Sequence, residues 1–133
     1  MARPKMEQTF VKICGITRLD DARAAVRAGA NAVGFVFAKS PRRITPAGAR
    51  RIAERLHPAV RRVGVFVDSP AERILEIVDQ VGLDGVQLQG SEPPQMLDEI
   101  RRARPNLFLA RVVRADRRQT IEGLSDSRAD AMF

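Results

Sequence analysis

The sequence predicts an α/β fold of the (β/α)8 TIM-barrel type, truncated in its sixth strand, and three observations carry that prediction. Strand-like and helix-like segments alternate along the whole chain at a spacing of about 22 to 30 residues, the pattern of a parallel sheet joined by right-handed helical crossovers. The strand-like runs are short and almost wholly apolar, as strands covered on both faces are. Polar residues stand at the ends of several of them, where barrel active sites gather. No Gly-x-Gly-x-x-Gly follows the first run to mark an open dinucleotide-binding sheet.

Taken in order, residues 10–14 are β-rich and closed by Gly15. Residues 19–28 carry Leu19, Ala22 and Val26 on one helical stripe, with Gly29 as the stop. Residues 32–37 are an apolar strand. Thr45-Pro46 is an N-cap followed by proline at the first helical position, opening a helix to about Leu56. Residues 62–67 form the third strand. Ser69-Pro70 repeats the cap-plus-proline signal for a helix to about Val81, with Ile74, Ile77, Val78 and Val81 on its apolar face. Residues 84–88 are the fourth strand, Ser91 is expected to cap a helix over 92–103, and 107–113 are the fifth strand. A weaker helical pattern covers 117–124, and 129–133 open a sixth strand.

The 133 residues fit one domain with a hydrophobic core, here a single partial barrel over 1–133 in which 1–9 form a flexible extension. Five complete units and part of a sixth do not close an eight-stranded barrel. They leave an unpaired strand edge and an uncovered apolar face, through which self-association is expected.

No apolar run approaches the roughly 20 residues that span a bilayer, and the polar N-terminus has no apolar signal segment. A single cysteine can form no internal disulfide, so the expected compartment is the cytoplasm. The formal charge is +7, and of the 23 basic residues only Lys5, Lys12 and Lys39 are lysines. The arginines fall in scattered doublets, such as Arg50-Arg51, Arg61-Arg62 and Arg101-Arg102, without Trp or Tyr to stack on bases. They read as a solvated arginine-rich surface rather than a nucleic-acid site. The same balance suits a small anionic substrate, which a positively charged cleft concentrates.

Side chains alternate along a strand, so Phe10, Lys12 and Cys14 share one face and Val11 and Ile13 the other. The aliphatic pair should meet the helices, which turns Lys12 and Cys14 into the barrel with Cys14 near its upper mouth. A thiol beside an ammonium can serve as a base. A lone cysteine at a strand end can equally be inert core, and the residues alone leave both readings open.

Four segments in order narrow that choice. Lys12-Ile13-Cys14-Gly15-Ile16-Thr17 resembles the opening motif of the phosphoribosylanthranilate isomerase family of tryptophan biosynthesis. Gly34-Phe35-Val36-Phe37 with Ser40-Pro41-Arg42-Arg43 resembles that family's second strand and loop, Val63 to Val67 its third strand, and Val86-Gln87-Leu88-Gln89-Gly90 its fourth. The resemblance implies an eight-stranded phosphate-binding barrel acting on a small anionic phosphosugar. The reaction implied is the Amadori rearrangement of N-(5′-phosphoribosyl)anthranilate, with no cofactor and no metal. A general acid protonates the ribose ring oxygen to open the ring, and a general base then takes the C2′ proton. By resemblance the base is Cys14, and Arg42 binds the anthranilate carboxylate, for which a guanidinium fork is suited; Arg43 beside it is the rival. Gln87 and Gln89 complete the expected substrate-binding set.

The family usually has histidine where this chain has Gln89, which keeps a hydrogen-bonding group but cannot titrate. By resemblance the general acid is an aspartate just after the start of the sixth strand, and the phosphate site follows strands seven and eight. The chain ends before these, so the 133 residues alone are expected to have little activity. Asp68 is read as a loop or capping residue and Asp130 as lying at the wrong end of its strand. Arg111 would face the interior if Leu107 and Leu109 do. His57, next to Pro58, is read as an exposed helix-end residue. The alternatives are a non-catalytic partial barrel that self-associates, and another phosphate-binding barrel enzyme such as indole-glycerol-phosphate synthase.

Overall fold

The computed structural model describes residues 9–112 and 129–132. The expected extension over 1–9 lies outside this range except for Thr9, and the weak helical pattern over 117–124 lies wholly outside it. The elements run β1 (Lys12–Cys14), α1 (Leu19–Arg27), β2 (Ala32–Val36), α2 (Pro46–Ala53), β3 (Arg61–Phe66), α3 (Ala71–Val81), β4 (Gly85–Leu88), α4 (Pro94–Ala103), β5 (Phe108–Arg111) and β6 (Ala131–Met132). All six strands are parallel, in the order β1-β2-β3-β4-β5-β6. Each strand pairs with its neighbour in sequence, as in a barrel wall; a doubly wound sheet would reverse its order at a switch point.

Residues in register across parallel strands share a face, so pairing sorts the side chains. Lys12 is opposite Ala32, Cys14 opposite Gly34, Val65 opposite Gln87, and Gln87 opposite Ala110. These line the inner face. The other parity, Val33, Phe35, Phe66, Val86, Leu88 and Leu109, packs on helix residues Ala22, Ile52, Ile74, Ile77, Leu97 and Ile100 to form the main core. At the N-terminal mouth of the interior, the Arg61 guanidinium carbon lies 5.9 Å from the ring centre of Phe10 and 5.5 Å from that of Phe108. This arginine of β3 joins the segment just before β1 to β5 through its attraction to the ring faces.

Val11 and Ile13 depart from expectation. They stand on the outer face but remain 39% and 41% exposed. The crossover after β1 carries α1 against β2, where Ala22 and Ala25 are buried.

The helix ends show which local signals hold. Thr45 Oγ1 accepts from Gly48 N at 3.1 Å, and Pro46 opens α2. Ser69 and Ser91 are not caps: α3 begins after Pro70 and α4 after Pro93, each without a side-chain cap. Ser91 and Glu92 are followed by Pro93-Pro94. A residue preceding proline is driven out of the helical region, so α4 cannot start before Pro94. α2 stops at Ala53, short of Leu56, because Arg62 reaches its last carbonyls. Its Nε and Nη2 donate to Ala53 O at 3.2 and 2.8 Å, and Nη2 donates to Leu56 O at 2.9 Å. Arg101 likewise donates to Pro105 O and Leu107 O beyond α4. These two arginines are structural ties rather than the solvated surface charges expected from composition.

A recurrent clamp braces the N-terminal ends of the strands. Asn31, Asp84 and Asp130 stand immediately before β2, β4 and β6. Their side-chain oxygens accept from the backbone N–H of Val11, Arg62 and Leu109 at 2.8, 2.9 and 2.8 Å. Their own N–H groups donate back to the carbonyls of the same three residues at 2.8, 2.8 and 2.7 Å. Each clamp ties the start of an even strand to the odd strand before it.

Candidate active site

Cys14 ends β1, and the turn that follows brings the β2–α2 loop over it. Gly15 has φ 83°, a left-handed conformation suited to glycine. Its backbone N–H, with that of Ile16, donates to Gly34 O at 3.0 Å. The same glycine leaves room for Arg42, since a Cβ at position 15 would lie 2.7 Å from Arg42 Cδ. Arg42 Nη1 donates to Cys14 O at 3.1 Å, while Arg42 N donates to Ser40 Oγ at 3.1 Å. On the neighbouring strand, a Cβ at Gly34 would lie 3.0 Å from Cys14 Sγ, so the thiol rests against a glycine on the inner face. The structure thus brings Cys14 and Arg42 together at the C-terminal mouth of the sheet, where parity had placed the thiol.

Arg43 goes the other way. With Phe37, Ile44, Ser69, Arg73 and Ile77 it lines a cavity of about 410 Å³ between the starts of α2 and α3. Gln87 faces the interior from β4 and is 6% exposed; Lys12 Nζ donates to its Oε1. Sequence parity places Lys12 inside, but finding its partner needs the strand register. Burial holds the Lys12 ammonium below its ordinary value, with the charge of Cys14 acting against that shift. Gln89 follows the end of β4, half-buried, and its N–H donates to Phe66 O at 2.9 Å.

Asp68 belongs to the loops rather than the interior. Its φ is 50°, its Oδ1 accepts from Ser91 N at 2.7 Å, and its N–H donates to Glu92 Oε1 at 2.9 Å. Glu92, which the sequence reading passed over, is 4% exposed. Its residue type carries no local signal of that burial. Leu109 packs with the helices, so Arg111 follows it to that side and does not enter the interior; its Nη2 donates to Glu92 O at 3.2 Å. His57 is exposed, with Nδ1 accepting from Ala59 N at 3.1 Å. Asp130 is occupied in its clamp. Among the described residues no group of three or more His, Cys, Asp or Glu converges to hold a metal ion. Among them also, no helix is long and apolar enough to cross a membrane.

The chain matches known proteins along most of its length. The family model described as N-(5′-phosphoribosyl)anthranilate (PRA) isomerase matches residues 11–124. The N-(5′-phosphoribosyl)anthranilate isomerase of Gloeothece citriformis is 45% identical over 112 residues, covering 84% of this chain and 51% of its own length. That of Thermotoga maritima is 54% identical over 91 residues, 68% of this chain and 44% of its own. A crystal structure of the Thermotoga maritima enzyme superposes with a TM-score of 0.80 at 44% identity, covering 87% of this chain and 56% of that one. A crystal structure of a phosphoribosyl anthranilate isomerase in complex with reduced 1-(o-carboxyphenylamino)-1-deoxyribulose 5-phosphate gives 0.81 at 44% identity, covering 87% and 59%. The chain spans about half the length of the curated relatives it matches. By this match along most of its residues, the chain belongs to the N-(5′-phosphoribosyl)anthranilate isomerase family.

Proposed function

We propose that this chain carries the general base and the carboxylate clamp of an isomerase of the cytoplasm. The enzyme converts N-(5′-phosphoribosyl)anthranilate to 1-(2-carboxyphenylamino)-1-deoxyribulose 5-phosphate. The observation that carries the reading is the placement of Arg42 against the carbonyl of Cys14, at the mouth where β1 and β2 end. Once the ribose ring has opened, the thiolate of Cys14 takes the C2′ proton. The Arg42 fork holds the anthranilate carboxylate and so orients C2′ toward the sulfur. Gln89 lines the rim of the same mouth, while Gln87 lies deeper in the interior. The family match favours this reaction over that of indole-glycerol-phosphate synthase.

The test measures phosphoribosylanthranilate turnover by the native protein and by Cys14→Ser and Arg42→Ala. Cys14→Ser should lose at least about a hundredfold in kcat, the usual worth of a general base. Arg42→Ala should raise KM. Near-native kcat in Cys14→Ser would remove the thiol from the mechanism.

A second reading, self-association through the β1 edge, is favoured by the exposure of Val11 and Ile13. Light scattering decides it: a dimer that dissociates in Ile13→Lys supports it, and a monomer excludes it.

A further inference from the structure

We propose that the cavity between the starts of α2 and α3 binds a small amphipathic carboxylate, one with an aromatic or branched aliphatic body. The site stands apart from the mouth at Cys14 and needs nothing from the reaction assigned there.

The cavity holds about 410 Å³, a size that takes small organic molecules. Its floor is apolar: Phe37 and Ile77 are buried, and Ile44 is half-buried. Its polar residues are Arg43, Arg73, Thr45 and Ser69, and no carboxylate stands among the described residues that line it. All four have hydrogens to donate. The Arg43 guanidinium has no hydrogen-bond or ion-pair partner among the described residues. Thr45 Oγ1 already accepts from Gly48 N at 3.1 Å, which leaves its hydroxyl hydrogen to donate. Ser69 is half-buried and caps no helix. Arg73 Nη1 donates to Glu76 Oε2 at 3.0 Å, but both side chains are more than half exposed. A surface pair of that kind is weak enough for the arginine to be shared with a ligand.

The backbone that presents Arg43 is fixed before any ligand arrives. Arg43 N donates to Ser40 O at 3.1 Å, Ile44 N donates to Val36 O at 3.0 Å, and Val36 bridges to Arg43 in parallel register. Arg42, one residue earlier, turns the other way to Cys14 O, so the two guanidinium groups serve different places. Donors set around an apolar floor select a molecule that joins an anionic head to an apolar body. A guanidinium fork matches the paired oxygens of a carboxylate. Inorganic phosphate would meet the donors but leave the Phe37, Ile44 and Ile77 floor uncovered.

The experiment titrates phenylacetate into the isotope-labelled native protein at neutral pH and follows backbone amide shifts by NMR. The amides of Arg43, Ile44, Ser69 and Arg73 should shift saturably, with half-saturation at about 1–10 mM for so small a molecule. Arg43→Ala should weaken binding by about three- to tenfold, the worth of one charge-assisted contact at a partly exposed site. Phenylacetamide, which keeps the body and loses the charge, should weaken by a similar factor. Inorganic phosphate should bind more weakly than phenylacetate, and Arg42→Ala should bind phenylacetate as the native protein does. Unchanged amides elsewhere in the spectra show that each variant is folded. The proposal is overturned if these amides show no saturable shift up to about 20 mM, or if Arg43→Ala or phenylacetamide matches the native affinity for phenylacetate. Loss of binding in Arg42→Ala overturns it too, by placing the carboxylate at the Cys14 mouth. Phosphate binding as tightly as phenylacetate overturns the amphipathic class of ligand.

Discussion

Arg42 donates from Nη1 to the carbonyl oxygen of Cys14 at 3.1 Å, so a loop residue after β2 is locked to the end of β1. The bond occupies one nitrogen of the guanidinium and leaves the rest of the fork at an exposed mouth. Arg42, the proposed carboxylate clamp, and the Cys14 thiol are thereby set in one frame, and disturbing either end should move the other.

Gly15 is where that frame is most vulnerable. Gly15→Ala places a side chain on a backbone with φ 83° and drives its Cβ into Arg42. The backbone strain alone is of order 1–3 kcal/mol. Chemical denaturation should show a loss of about that size, and the KM for phosphoribosylanthranilate should rise as it does in Arg42→Ala. An unchanged KM would mean that Arg42 finds its place without Cys14 O.

Arg62 should matter far more than a surface arginine. Arg62→Met removes the donors that satisfy Ala53 O and Leu56 O at the end of α2, and the largely buried guanidinium that faces Asp84. Leaving buried carbonyls unpaired costs about 1–3 kcal/mol each. Urea denaturation of Arg62→Met should show a loss of at least about 2 kcal/mol, whereas Arg51→Met, exposed on α2, should stay within about 0.5 kcal/mol. Equal effects would return Arg62 to the surface.

The clamps predict a graded series. Asn31→Ala deletes the acceptor of Val11 N, one hydrogen bond near the β1 edge, and should cost about 1 kcal/mol. Asp84→Ala also removes the partner of Arg62 and should cost more. Hydrogen exchange at Val11 and Arg62 amides checks this directly, each accelerating only in its own variant.

Asp130 should contribute to acid stability. Burial raises its proton affinity, but the Leu109 N–H and the Arg101 guanidinium outweigh that and hold the carboxyl below its ordinary value. A carboxyl whose folded value is depressed binds its proton less readily folded than unfolded. Its contribution is present above the unfolded carboxylate value of about 3.9 and is lost as pH falls toward the lower, folded one. Asp130→Asn should be less stable than native at pH 7, and the gap should narrow as pH falls below about 4. A gap independent of pH would show that the carboxylate charge plays no part.

The alternation of strands and helices is legible in the residues alone, because apolar periodicity is written locally. The period of two along a strand likewise placed Lys12 and Cys14 on one face, and Thr45-Pro46 marked a true helix start. Contacts between distant segments set what no local period encodes. Arg42 and Arg43 are adjacent in a loop, and only the left-handed turn at Gly15 and the approach of β2 to β1 separate the arginine at Cys14 from the one between α2 and α3. Lys12 and Gln87 are 75 residues apart and meet only because strand register sets them on one inner surface. Arg62 and Arg101 read as surface charge until the carbonyls they serve are in place, and Ser91 read as a cap until Pro93-Pro94 held it outside the helix. In each case the deciding partner lies beyond the range of neighbouring residues, so the fold had to form before the site could be assigned.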